Sequence, residues 1–190
     1  MLREAARSAV RFHASNSQNA DLYISVNVTL QQFQQLHFVT LVRDILLETG
    51  ANPKWIRLEL TESTAATNPS HAARTIRQLN AMGIKVSIDD FGTGFSTMEQ
   101  LRRIPFNELK VDQSFVHGAT HNHVSHAILE SSLNLAKKLA IKTVAEGVEN
   151  QTDFDLVKTL GYHIIQGYMF AKPMPMEDFC GWMTAYNQKG

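Results

Sequence analysis

Six short runs of strand-forming residues recur along the chain, and a segment with helical spacing follows each of them. The runs begin roughly 30 residues apart, and such alternation is typical of parallel strands that are connected by crossover helices. Two architectures satisfy this pattern, a doubly wound sheet and a (β/α) barrel. The predicted strands cover residues 22–28, 55–60, 86–88, 108–111, 142–146 and 163–166.

The segments between the strands carry the apolar spacing and the end signals of helices. Gly50, Gly83 and Gly161 lie where helices are expected to end, and Pro105 closes a short helix. The predicted helices cover residues 2–14, 33–46, 69–82, 96–103, 125–139, 151–160 and 176–186.

Polar residues near the strand ends distinguish the two architectures. Each strand has one at or near its C-terminal end, and in a barrel all of these ends meet at one rim, where barrel enzymes build their sites. A doubly wound sheet would instead gather its chemistry at one switch point. The pattern favours an α/β fold of the TIM-barrel type, with about six of the eight strands in this chain. The six residues are Asn27, Glu59, Asp89, Lys110, Glu146 and Gln166.

The third strand ends at two adjacent carboxylates, Asp89 and Asp90, and the turn Gly92-Thr93-Gly94 follows. Taken alone, this stretch also fits a strand that simply ends in a polar turn. Two neighbouring carboxylates repel each other unless a cation or a proton lies between them. Carboxylate oxygens are ligands of hard cations such as Mg²⁺, and glycines let the backbone pass close to a ligand.

Together, the rim residues form an oxygen-rich set that suits one or two Mg²⁺ or Mn²⁺ ions. Two metal ions that share a bridging carboxylate suit phosphoester hydrolysis. Each residue taken alone could equally be a polar group that caps a nearby helix, but repetition at six strands argues against that reading. The metal ligands would be Asn27, Glu59, Asp89 and Asp90, with Lys110 as a fixed positive charge and Glu146 as a carboxylate that takes a proton or a metal.

Composition excludes several classes of function. Lys+Arg and Asp+Glu are equal at 18 each, which predicts neither a DNA-binding nor a membrane surface. No apolar run approaches the roughly 20 residues of a membrane span, and the N-terminus lacks the apolar block of a signal peptide. The single cysteine, Cys180, excludes an internal disulfide framework and fits a reducing compartment. We therefore expect a cytoplasmic protein that binds no DNA and does not insert into a membrane.

Two other features point less clearly to chemistry. His117, His121, His123 and His126 cluster in a loop that enters a helix, but their spacing matches no closed zinc motif, and a solvated loop is the preferred interpretation. The Gly92-Thr93-Gly94 turn lacks the Lys-Ser/Thr pair of a phosphate-binding loop, which argues against nucleoside triphosphate chemistry.

The polar motifs stand in the order of a known family. They are SVNVT at 25–29, ELTE at 59–62, DDFGTG at 89–94, ELKVDQSF at 108–115, VAEGVE at 144–149 and QGYMFAKP at 166–173. Together they closely resemble the EAL-domain phosphodiesterases, which linearise the bacterial second messenger cyclic di-GMP to pGpG. The resemblance covers nearly the whole chain and implies a modified TIM barrel.

The resemblance also implies roles at the metal centre. Asn27, Glu59 and Asp89 would bind a first Mg²⁺ or Mn²⁺ ion, and Asp89 would bridge to a second ion that Asp90 also binds. Two catalytic residues complete this set: Lys110 would hold the attacking water, and Glu146 would act at the second metal or as the general base.

Three further residues match family positions around the site. Glu149 and Gln166 match residues that line it. Glu62 matches a glutamate that steadies the loop after Asp90, and in the family this loop is tied to dimerisation and activity.

Residues 1–190 are interpreted as a single EAL-like domain, although the Glu-Ala-Leu motif that names the family is absent from them. In the family, that motif lies on an upstream segment with two strands, one metal-binding glutamate and an arginine that contacts the substrate phosphate. Three hypotheses follow. The chain is a cyclic di-GMP phosphodiesterase, a catalytically impaired domain that binds cyclic di-GMP or a protein partner as a receptor, or a barrel completed by another chain or by homodimerisation.

Overall fold

The computed structural model describes residues 1–15, 22–94 and 101–187 of the 190-residue chain. Six strands form one parallel sheet in which each strand pairs with the next one along the chain. The sheet curls into a half-barrel, which confirms the predicted α/β barrel and excludes a sheet with a switch point. The strands are β1 (Ile24–Asn27), β2 (Ile56–Thr61), β3 (Lys85–Phe91), β4 (Glu108–Val111), β5 (Lys142–Ala145) and β6 (Ile164–Ile165).

Helices connect the strands much as the apolar spacing predicts. Gly50 and Gly161 adopt the left-handed conformation directly after the helices that they cap. The predicted helix over 96–103 begins among residues outside the described ranges. The helices are α1 (Leu2–Ser15), α2 (Leu30–Phe33), α3 (Phe38–Thr49), α4 (Glu62–Thr67), α5 (Pro69–Ala81), α6 (Gln113–Val116), α7 (His123–Leu139), α8 (Gln151–Leu160) and α9 (Met176–Asn187).

Short helices account for most differences from the sequence predictions. The segment over 33–46 forms two helices, α2 and α3, and α4 and α6 were not predicted. A side chain caps each of the missed helices: Thr61 Oγ1 accepts the Thr64 N–H, and the Asp112 carboxylate accepts the Ser114 N–H. Helices this short show no apolar period, so the capping residue is their main sequence signal. Within the described residues, no helix combines the length and the apolar character needed to cross a membrane.

The central strands are covered on both faces. The first five residues of β2 and all four residues of β4 are buried, and successive residues of a strand point to opposite faces. Parallel strands in such a setting are normally near-continuous apolar runs. The charged residues that β2 and β4 nevertheless carry must find partners in the interior, because a buried charge without a partner is costly.

One such pair lies near the N-terminal ends of β2 and β4. Arg57 donates to the carboxylate of Glu108, and the two side chains are 10 % and 2 % exposed. The Arg57 guanidinium also lies over the Tyr23 ring, 3.6 Å from its centroid, and the Tyr23 hydroxyl is 3.4 Å from Glu108 Oε2. The pair and its contacts with Tyr23 therefore hold β2, β4 and the residue before β1 in place relative to one another.

A cavity of about 1000 Å³, the interior cavity, lies between the sheet and α9. On α9, the rings of Phe179, Trp182 and Tyr186 stack in succession, with centroid separations of 5.9 and 4.9 Å. Phe179 also contacts Phe12 of α1 at 5.8 Å between ring centroids. Helix α9 therefore connects the region after β6 to the helix before β1, and its aromatic face lines the interior cavity.

We expect Arg57→Met to destabilise the protein by about 3–5 kcal/mol, because it leaves the Glu108 carboxylate buried without its guanidinium. The double variant Arg57→Met/Glu108→Leu should recover most of this loss. Urea unfolding followed by circular dichroism measures both free energies. As a control, Arg43→Met removes a guanidinium that pairs with Asp44 on the exposed surface and should cost at most about 1 kcal/mol. An Arg57→Met midpoint equal to that of the control would contradict the proposed role of the buried pair.

Candidate active site

The ammonium group of Lys110 lies among three carboxylates. Its Nζ atom is 3.0 Å from Glu59 Oε1, 2.9 Å from Asp89 Oδ1 and 2.6 Å from Glu146 Oε1. All four side chains are 5–15 % exposed. The carboxylates belong to β2, β3 and the residue after β5, and Lys110 belongs to β4. The parallel register thus brings four of the sequence-predicted site residues into direct contact.

An irregularity in β3 brings Asp90 to the same place. Strand β3 continues through both aspartates, so the predicted end of this strand before them was wrong. The register with β4 shifts between Ile88 and Phe91, and Asp90 has a φ of 55°. Successive side chains of a regular strand point to opposite faces, but such a bulge re-aims a side chain. Carboxylate oxygens of Asp89, Asp90 and Glu146 consequently lie within 4.8 Å of one another, a group that could hold a metal ion.

Burial and mutual repulsion dominate the electrostatics of this cluster. Burial raises the pKa of Glu146 to about 7, although the Lys110 ammonium opposes the change. Burial and the charge of Asp89 raise the pKa of Asp90. Burial disfavours the charged form of Lys110, but Glu146 and Glu59 outweigh this effect and raise its pKa above the ordinary value. One ammonium does not balance four ionised carboxylates, and divalent cations would neutralise the excess.

Asn27 reaches the same rim from β1. It lies beside Glu59 in the register of β1 and β2, and the next residue, Val28, donates its N–H to the Glu59 carbonyl at 2.9 Å. The side chain of Asn27 is exposed, unlike the carboxylates. The backbone therefore places the predicted amide ligand next to a predicted carboxylate ligand.

Glu62 lies under the loop that follows the two aspartates. Its side chain is buried, and its Oε2 atom accepts the Gly92 N–H at 3.0 Å. A Cβ atom at Gly94 would lie 3.0 Å from the carboxylate, so this turn can pack against Glu62 because it has no side chain there. The structure places Glu62 where it can support the loop.

A second cavity of about 280 Å³, the rim cavity, opens beside the carboxylates. The predicted residues Glu149 and Gln166 line it together with Asp90 and Glu146. Its lining comprises Asp90, Asp112, Gln113, Glu146, Gly147, Glu149, Gln166, Gly167 and Tyr168.

Asp112 and Tyr168 are among the lining residues that received no role from the sequence. Asp112 follows Lys110 by two positions, and the two-residue period of a strand could have indicated that both serve the same site. Tyr168 lies in an irregular segment after β6, where no periodicity gives a signal.

The histidines do not form a metal site in the part of the chain that the structure describes. The only group of three or more potential metal ligands found there consists of Asp89, Asp90 and Glu146. His126 Nδ1 lies 3.7 Å from Glu130 Oε2 on the same helix, an arrangement typical of a solvated helix surface.

The family model described as EAL domain matches residues 1–173. The chain belongs to the EAL domain family. This EAL domain is 39 % identical over 159 residues to MucR of Pseudomonas aeruginosa, a bifunctional diguanylate cyclase/cyclic di-GMP phosphodiesterase. The match covers 84 % of this chain and 23 % of MucR. The chain spans about a quarter or less of the length of the first curated relatives that it matches.

Solved structures of EAL proteins share its fold. The c-di-GMP complex of the PaMucR phosphodiesterase superposes with a TM-score of 0.87 at 37 % identity, over 94 % of this chain and 71 % of that one. The complex of BlrP1 from Klebsiella pneumoniae with manganese and cy-diGMP at pH 9.0 superposes with a TM-score of 0.77 at 26 % identity, over 90 % of this chain and 44 % of that one. The EAL resemblance in the sequence and the TIM-like barrel that it implies are both confirmed.

The raised pKa of Glu146 predicts a pH-dependent stability of the metal-free protein. Its pKa rises from 4.5 to about 7 on folding, so the folded state is favoured below pH 4.5 and loses this advantage as the pH rises through 7. Between pH 5 and pH 8, in the presence of a chelator, the free energy of unfolding should fall by on the order of 2 kcal/mol more in the parent than in Glu146→Gln. Denaturant titrations at both pH values measure this difference. If the free energy of unfolding falls by the same amount in the parent and in Glu146→Gln, the group that titrates is not Glu146.

Proposed function

We propose that this EAL domain hydrolyses cyclic di-GMP to linear pGpG in a reaction that depends on Mg²⁺ or Mn²⁺. The observation that carries the proposal is the close approach of Asp89, Asp90 and Glu146, whose carboxylate oxygens lie within 4.8 Å of one another beside Lys110. The relatives support it, because MucR is named as a cyclic di-GMP phosphodiesterase and BlrP1 was solved with manganese and cy-diGMP.

The donor set fits hard divalent cations, since all of its members are oxygen ligands. Asn27, Glu59 and Asp89 would hold a first ion, and Asp89 and Asp90 a second. When bound, such ions activate water and neutralise charge on the phosphoryl oxygens. Glu149 and Gln166 would contact the substrate from the wall of the rim cavity, and Glu62 would hold the loop after Asp90 in place.

The chain's own residues would move the protons. Lys110 would donate a hydrogen bond to the attacking water in place of one of its three carboxylate contacts. Glu146, whose Oε1 atom lies 2.6 Å from the Lys110 ammonium, would act at the second metal or accept the proton of that water as the general base. A P–O bond to the water oxygen forms as one P–O bond to a 3′ oxygen breaks, and the proton taken from the water passes to that 3′ oxygen, so that one water is added for each product molecule.

In the enzyme, Asp89→Asn should reduce the rate of cyclic di-GMP hydrolysis by roughly 100-fold or more, because it removes the proposed bridging carboxylate. Chromatographic detection of pGpG with Mg²⁺ or Mn²⁺ present gives the rate. The matched control is Asp155→Asn, which alters an exposed carboxylate on α8 that accepts from Gln151. Equal rates for Asp89→Asn and the parent would show the metal assignment to be wrong.

A receptor without catalysis is the second candidate function. The Lys110 ammonium contacts three carboxylates at 2.6–3.0 Å, and in this arrangement it takes the place that a cation would occupy among them. A domain that keeps this arrangement would bind cyclic di-GMP, or a protein partner, without cleaving it. Saturable cyclic di-GMP binding with no pGpG formed in the presence of Mn²⁺ would support the receptor over the enzyme.

A completing chain or segment is proposed to close the half-barrel. Within the described residues, β1 and β6 each pair on one side only, and closed barrels of this type have eight strands. Open strand edges are templates for pairing with another chain. A further segment of polypeptide, a second copy of this chain in a homodimer, or another chain would cover these edges. Sedimentation equilibrium distinguishes a monomer from a dimer.

Cys180 is a free thiol, which supports the proposal of a reducing, cytoplasmic location.

A further inference from the structure

We propose that three contacting side chains in the barrel interior position the metal centre that lies one layer closer to the rim. These positioning residues, named the lower triad, are Tyr23, Arg57 and Glu108. The lower triad holds β1, β2 and β4 at the spacing that the site requires. This inference rests on the proposed function, because it assigns a role in the same metal-dependent reaction.

Two members of the lower triad stand directly before site residues on the same strands. Arg57 lies two positions before Glu59 on β2, and Glu108 lies two positions before Lys110 on β4. Side chains two positions apart on a strand point to the same face, and three of these four line the interior cavity. The pair of Arg57 with Glu108 and the pair of Glu59 with Lys110 therefore form successive interior layers. The charges reverse between the layers, since β2 supplies the cation in the first and the anion in the second.

Tyr23 extends this arrangement to β1. The Arg57 guanidinium lies 3.6 Å from the centroid of the Tyr23 ring, and the Tyr23 hydroxyl donates to Glu108 Oε2 at 3.4 Å. Tyr23 directly precedes β1, and Asn27, four positions later, lies on the same face of the strand. Strand β1 does not pair with β4. The tyrosine therefore links the strand of the predicted amide ligand to the strand of Lys110.

Backbone pairing alone does not set the distance across β3 at the rim. Strand β3 lies between β2 and β4, and its register with β4 shifts between Ile88 and Phe91. The regular ladder is thus interrupted at the level of the aspartates. The lower triad spans β3 before this irregularity, where Ser87 still pairs in register with Glu108. A side-chain link at this level transmits a fixed spacing to the layer above.

Stability does not account for an ion pair at this depth. Interior layers of such barrels are dominated by branched apolar residues, and apolar side chains of similar volume often replace a buried ion pair without loss of stability. The Nε atom of Arg57 is buried without a hydrogen-bond partner among the described residues, which adds to the cost of burying it. A planar guanidinium nevertheless holds a carboxylate in few relative orientations, which is the property that a positioning pair needs.

Binding of Mn²⁺ to the full 190-residue chain, without substrate, tests the lower triad. The electron paramagnetic resonance signal of free Mn²⁺ disappears on binding, so a titration gives the dissociation constant. The double variant Arg57→Met/Glu108→Leu removes the ion pair without leaving a buried charge unpaired. Its dissociation constant for Mn²⁺ should rise by roughly 10-fold, because groups that orient metal ligands contribute on this scale to metal affinity. Its urea midpoint should stay near that of the parent.

Tyr23 provides a second test, in which no charge is changed. Tyr23→Leu removes both the ring and the hydroxyl and should also weaken Mn²⁺ binding, whereas Tyr23→Phe keeps the ring over Arg57 and should retain more of the affinity. The Tyr23 side chain is only partly buried, so these variants serve if the double variant does not fold. The matched control is Arg43→Met/Asp44→Leu, which removes an exposed ion pair of the same chemistry on α3 and should leave Mn²⁺ affinity unchanged.

Each other outcome overturns a named part of the proposal. Unchanged Mn²⁺ affinity in the folded double variant would leave the ion pair with a structural role only, and unchanged affinity in Tyr23→Leu would remove Tyr23 from the triad. A loss of the same size in the control would show that the effect does not come from the barrel interior. If the parent binds Mn²⁺ and hydrolyses cyclic di-GMP and all triad variants match it, the inference fails and the proposed function stands. A parent that binds no Mn²⁺ would overturn both.

Discussion

The contact between one buried ammonium and three buried carboxylates is the interaction on which this rim depends. Without Lys110, the side chains of Glu59, Asp89 and Glu146 would repel one another in a poorly solvated place. With it, they converge from three different parts of the sheet and still leave negative charge uncompensated. The same arrangement thus holds the rim together and leaves negative charge that divalent cations would neutralise. The same carboxylates would serve a catalytic site when divalent cations lie among them, and a receptor when the Lys110 ammonium takes the place of a cation.

Strand β3 departs from regular strand geometry where it contributes to the carboxylate cluster. The register shift in β3 and the positive φ of Asp90 cost backbone energy, and such features persist where the surroundings over-determine them. Here the surroundings include Glu62, which accepts the Gly92 N–H directly after the bulge. The loop, the bulge and the carboxylate pair therefore form one unit, and a change in any of them would re-aim Asp90.

The sequence was sufficient to predict the six strands and to place one polar residue at each strand end, because both depend on short-range periodicity and on the parallel topology. It did not predict the bulge at Asp90, since a bulge is set by the pairing of β3 with a strand 20 residues away in the chain. The short helices α4 and α6 were not predicted because they contain too few residues for an apolar period. The place of Tyr168 at the rim cavity was not predicted for a related reason. It depends on the approach of Gly167 to the Val148 backbone rather than on any local pattern.

The strand order has a consequence for synthesis. Every strand pairs with the one that precedes it, so the growing sheet can add each new strand to its edge as the chain leaves the ribosome. The carboxylate cluster cannot form strand by strand in the same way, because Glu59, Asp89 and Lys110 emerge well before Glu146. A nascent chain from which only the residues up to Val111 have emerged can pair β1 to β4, but its ammonium still lacks its closest carboxylate, Glu146. The complete cluster therefore forms only after Glu146 has joined the three residues that precede it in the chain.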